Sequence, residues 1–111
     1  MITISGWVNA LRSNKFKQGV DNLNFSNTYC CLGVLCELNS NTLKLNKQKD
    51  GDFTSYDNHY RNLPSKVSSK YTFNDEIIHT LIKMNDGGYT FSQIADKIEE
   101  WHQQGKLLER K

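Results

Sequence analysis

The chain has 111 residues, with 14 Lys and Arg against 12 Asp and Glu, for a net charge of +2. That length suits one domain able to bury its own core, and a hydrophobic share of 37% with five Tyr, five Phe and two Trp is not that of a disordered chain. The charge is too small to make nucleic acid the expected partner, three cysteines make no disulfide framework, and the longest apolar run, Cys30 to Cys36, is far too short for a bilayer.

Ile4, Trp7, Val8 and Leu11 recur at helical spacing with Ser5 as N-cap, which predicts a first helix over residues 5–14. Residues 15–28 hold Gly19 and several Asn between Phe16, Val20, Leu23 and Phe25. They read as a loop with a short hairpin, tied down by those apolar side chains. Tyr29 to Leu38 (YCCLGVLCEL) is the most apolar stretch. A buried helix starting near Cys30 is favoured over a strand, with Leu32, Leu35, Cys36 and Leu38 inward and Gly33 admitting a close backbone. Residues 39–62 read as a flexible polar insertion in which Leu43 and Leu45 alternate like a short edge strand. Pro64 then opens a helical turn.

Thr72 and Asp75 form a helix-start signature, followed by Phe73, Ile77, Ile78, Leu81, Ile82 and Met84 at helical spacing, and Gly87 and Gly88 stop that helix. Thr90 and Gln93 form a second capping box, ahead of a stripe of Phe91, Ile94, Ala95, Ile98 and Trp101. Gly105 ends it, and residues 106–111 form a charged tail. The expected architecture is α+β, mainly helical: one domain over residues 1–111, with a C-terminal helical hairpin and a short hairpin or edge-strand element.

Several clusters could carry chemistry. A cysteine at a helix N-terminus, such as Cys30, has its thiolate favoured by the helix dipole, and cysteine hydrolases pair such a thiol with histidine. Three histidines exist, His59, His79 and His102, none in a recognisable base motif. The competing role for Cys30, Cys31 and Cys36 is core packing, the commoner one for free cysteine. Their spacing does not match a metal site, and no cofactor is expected. The run from Thr90 to Glu99 resembles the start of a helix-turn-helix, but Glu99 stands where the turn glycine belongs, so DNA reading is not expected. Arg12, Lys15, Lys17 and Gln18 cluster after the first helix and could hold an anion, with solvated surface charge as the plainer alternative.

Three segments together resemble a family of small, mostly uncharacterised accessory proteins of tailed bacteriophages and prophages. They are Trp7 to Ser13 with Lys17-Gln18-Gly19, the Tyr29 to Cys36 motif, and Leu81 to Asp86 with Thr90 to Glu99. The resemblance implies a bacterial cytoplasmic setting and a role against host defence, but no catalytic residue. Proteins of this class often act as oligomeric sponges that bind a nucleotide-type immune signal without cleaving it. The leading expectation is therefore sequestration of a small anionic nucleotide-type ligand at Arg12, Lys17, Gln18, Tyr29 and Cys30, with neither nucleic acid nor membrane as partner and with homo-oligomerisation open. The alternatives are a protein-binding inhibitor of a host enzyme, acting through Phe53 to Tyr60 or the C-terminal helices, and a cysteine-dependent hydrolase.

Overall fold

Ile4, Trp7, Val8 and Leu11 share one helical face, and all four are buried along α1 (Ile4–Arg12) in a computed structural model that describes residues 1–110. The N-cap is Thr3, whose Oγ1 accepts from Gly6 N, and not Ser5 as expected. A helix begun at Ser5 would leave Ile4 outside the buried stripe. The carboxylate of Glu109 accepts from Ile4 N at 2.6 Å and seals the same helix end from the far terminus of the chain.

Five short strands follow in and around the loops: β1 (Lys17–Gln18), β2 (Asn24–Phe25), β3 (Thr28–Tyr29), β4 (Lys47–Asp50) and β5 (Phe53–Tyr56). They form one sheet in the order β1-β3-β2-β5-β4. Tight turns set its register. Ser26 and Asn27, between β2 and β3, both have positive φ (50° and 62°), which a two-residue type I′ hairpin requires. Gly51 (φ 63°) opens the two-residue connection from β4 to β5. The edge strand expected around Leu43 and Leu45 lies instead at Lys47–Asp50. Leu45 is buried in the loop ahead of it. Much of the polar stretch 39–62 thus belongs to the sheet, and Thr54, Ser55 and Tyr56 of β5 are buried.

Between the strands runs α2 (Cys31–Asn39), with Cys30 as N-cap. It is buried along most of its length because other elements cover it on several sides. Trp7 Nε1 donates to Cys31 O at 3.0 Å, and Asn39 at its far end bonds Leu35 O, Tyr71 Oη and Ile2 N. The short α3 (Ser65–Ser68) follows Pro64. The next helix, α4 (Asp75–Asp86), is capped by Asn74, not by Thr72. The Thr72 hydroxyl is engaged elsewhere, accepting from Leu108 N at 2.8 Å. The last helix, α5 (Phe91–Gln103), has the full Thr90–Gln93 capping box. It packs most extensively on α1 rather than on α4. The charged tail docks: Leu107 is fully buried, Glu109 bridges to Tyr71, and Arg110 Nε donates to Tyr71 O. The whole is a compact α+β domain, and no helix among the described residues is long and apolar enough to cross a membrane.

Candidate functional site

The Tyr29-Cys30-Cys31-Leu32-Gly33 segment meets the last turn of α4, and a buried asparagine joins them. Asn85 is 1% exposed. Its Oδ1 accepts from Cys31 N at 3.2 Å and from Gln18 Nε2 at 3.1 Å, and its Nδ2 donates to Gly19 O at 2.8 Å. Gln18 extends the knot, donating to Tyr89 O at 2.7 Å and accepting from Phe91 N, the first N–H of α5, at 3.0 Å. Three segments far apart in sequence are held by two carboxamides. Each buried polar group of these side chains finds a partner, as burial requires.

Beside this knot a recess of 230 Å³ opens at the N-terminus of α2. Its polar walls are Asp21, Arg61, Asn62, Asn85 and Asp86, and its floor is Cys30, Cys31, Leu32 and Ile82. Asp86 Oδ1 also accepts from Asp21 N at 3.2 Å, which fixes one wall. Across Leu32, Asn62 and Ile82 lies a second cavity of 260 Å³, bordered further by Asp75 and His79. The two together reach the size of ordinary small-molecule sites, about 300–1,000 Å³.

The five residues expected at a ligand site are not gathered here. Only Cys30 lines the recess. Arg12 faces the other way, donating to Asp96 at 2.7 Å and to Glu99 at 3.3 Å; these hydrogen bonds raise its pKa further and fasten α1 to α5. Lys17 is exposed on β1. Gln18 is committed to the asparagine knot. Tyr29 packs edge-on against Phe16 at 5.2 Å, and burial, with the nearby Glu37 carboxylate, pushes its phenol up. The residues that do line the recess were missed for a physical reason. Arg61 and Asn62 sit in a polar stretch with no periodic pattern, and the Asn85-Asp86 pair, which does stand out ahead of Gly87-Gly88, is as well accounted for by local backbone capping at a helix end.

Burial also decides the thiol chemistry. Cys30 is 9% exposed, and its Sγ accepts from Gly33 N at 3.4 Å. Burial pushes its pKa up, and the N–H groups of Gly33 and Leu32 only partly offset that. The helix N-terminus therefore does not favour a thiolate here, because desolvation outweighs it, and the cysteines sit as buried core residues, the commoner role expected of them. Cys31 is shifted up further, again by burial first and then by the neighbouring Cys30. Among the described residues no histidine lines the recess; His79 borders the adjoining cavity.

The chain is thus an α+β domain with a small recess of mixed charge at the head of its central helix. Residues 3–76 match the family described as Domain of unknown function (DUF8296), and the chain belongs to it. No curated protein and no solved structure matches the chain. The matched span carries Asp21, Cys30, Arg61 and Asn62 of the recess, while Ile82, Asn85 and Asp86 lie beyond it.

Proposed function

We propose that this protein binds a small nucleotide-type ligand without transforming it, at the recess beside the head of α2. The observation that carries the reading is the set of polar residues that line it, Arg61, Asn62, Asp21, Asn85 and Asp86, around Cys30, Cys31, Leu32 and Ile82. An apolar pocket with a few polar residues converging on it is the first place to expect a bound ligand. With Asp75 in the adjoining cavity, the fixed charges are one guanidinium against three carboxylates. A purely anionic ligand suits that balance poorly. A nucleotide suits it better, with a phosphate at Arg61 and the N–H edge of a base at a carboxylate.

Sequestration is favoured over hydrolysis because burial pushes the Cys30 thiol up and no histidine lines the recess to pair with it. The wider role follows from the cysteine motif and its neighbours, which resemble tailed-phage accessory proteins. On that reading the protein works in the bacterial cytoplasm and counteracts host defence by holding a nucleotide-type signal.

Calorimetry against nucleoside mono- and diphosphates, cyclic mono- and dinucleotides and ADP-ribose derivatives tests this. One class should bind stoichiometrically and be recovered intact after denaturing the protein. Arg61→Ala should weaken binding about tenfold or more, the worth of a charge-assisted hydrogen bond. Absence of heat with every probe removes the reading, and recovery of a cleaved product replaces it with an enzymatic one.

A further inference from the structure

Strand register lines up five side chains from one edge of the sheet to the other. Lys17 lies opposite Thr28, Thr28 opposite Phe25, Phe25 opposite Phe53, and Phe53 opposite Asp50. Residues directly opposite one another point to the same face of a sheet. This row faces outward: Lys17, Phe25, Phe53 and Asp50 are exposed and Thr28 half-buried, whereas Asn24 and Thr54 beside it are buried. Its centre is aromatic. Phe25 and Phe53 meet edge to face at 4.9 Å, and Tyr60 stands against Phe53 at 6.1 Å. The three are 38%, 40% and 39% exposed. Large apolar rings left together in water mark a contact surface more than a scatter of single residues does.

The ends of the row carry opposite charge, and among the described residues neither Lys17 nor Asp50 makes an ion pair. At a strand spacing of about 4.8 Å they lie roughly 19 Å apart. Read in reverse, the row becomes acid, two rings, threonine, base. Laid on itself about Phe25, it sets Lys17 over Asp50 at both ends and Phe25 over Phe25 at the centre.

We propose that two copies of this chain pack sheet to sheet about a two-fold axis running along the strands beside Phe25, with Lys17 of each copy paired to Asp50 of the other. A two-fold contact uses the same patch twice, so it demands self-complementarity of this kind. Twisted sheets pack face to face about 10 Å apart. A nucleic acid strand fits less well, because Asp50 and Asp52 flank the rings. The patch is small for a permanent dimer, which places the dissociation constant in the micromolar range.

Sedimentation velocity of the full chain between about 5 and 500 µM should show the mass moving from one copy to two. Phe25→Asp should stay monomeric throughout while melting like the parent. Lys17→Asp and Asp50→Lys should each weaken association about tenfold, and the combined variant should recover most of that loss, since the pairing is merely inverted. A single-copy mass at the highest concentration overturns the proposal. So does a combined variant no tighter than either single one, or capture of a bacterial protein that Phe25→Asp abolishes in a chain that is monomeric to begin with. The result is independent of ligand binding at the recess.

Discussion

Gly33 lies directly on the backbone of Leu23. A methyl group there would stand 1.7 Å from the Leu23 carbonyl oxygen and 2.6 Å from its carbon. Neither atom belongs to a flexible side chain. Leu23 N is itself bonded to Tyr60 O at 2.8 Å, so the segment cannot swing aside freely. Gly33→Ala should therefore destabilise by at least about 3 kcal/mol, against a helix-propensity gain of only about 1 kcal/mol. The urea midpoint measures it, and an unchanged midpoint would show that α2 does not rest there.

The Asn85 knot leads to a second expectation. Asn85→Ala strips partners from Cys31 N, the Gln18 amide and Gly19 O together. Unsatisfied buried groups cost about 1–3 kcal/mol each, partly relieved by water at the recess edge, so a total near 3 kcal/mol is expected. Asn85→Asp should do no better. It keeps an acceptor for Cys31 N, loses the donor to Gly19 O, and sets a second carboxylate beside Asp86. Chemical unfolding of the two variants side by side checks the ranking.

The helices were legible because their cues are local. The buried stripes of α1, α4 and α5 and the Thr90–Gln93 box follow from spacing alone. Caps went astray where a distant partner chose between neighbours. Thr72 looks like a cap until Leu108 N takes its hydroxyl. The sheet was illegible for the opposite reason: three of its strands are two residues long, too short to show alternation. Asn27, Asp57 and Asn58 adopt left-handed turns that a chain rich in Asn does not flag by composition. The cysteine segment was recognised as central, but the Arg61 and Asn62 wall beside it depends on a long-range approach.

Arg12 separates a structural role from a ligand role. Its guanidinium is partly exposed and bonded to Asp96 and Glu99 across the α1–α5 contact. Arg12→Ala should cost at most about 1 kcal/mol, as exposed ion pairs do, and should leave ligand affinity unchanged. Thermal melting and calorimetry on the same sample test both halves. A large loss of affinity would return Arg12 to the binding site.

Glu109 makes stability depend on acid. Burial disfavours its carboxylate, but the N–H groups of Ile4 and of Glu109 itself, with the nearby His102, more than compensate, so its pKa lies below the ordinary 4.5. A lowered folded pKa means that the fold favours the ionised form. That contribution is present above the ordinary value and is lost as pH falls through the lower, folded one. Glu109→Gln should therefore cost about 0.5–1 kcal/mol at pH 7, the scale of charge at a helix N-terminus. The gap from the parent should narrow as the pH drops below 4.5. Urea unfolding of both proteins across that window is the measurement, and a gap that widens in acid would contradict the assignment.

Cys30 offers the sharpest division between a binding protein and a hydrolase. As the N-cap of α2 its sulfur accepts from Gly33 N at 3.4 Å, and serine can fill that position with a better acceptor. Cys30→Ser should keep the fold, with a stability change between zero and a gain of about 1 kcal/mol. It should also keep ligand affinity within a few fold, because the sulfur is one floor atom among charged and polar walls. A nucleophilic thiol would show itself in turnover and not in affinity: serine at that site, with no histidine lining the recess to activate it, would bind ligand and abolish turnover. If Cys30→Ser binds as the parent does yet loses the biological effect, the thiol does chemistry after all, and the raised pKa produced by burial must be reversed when the ligand enters.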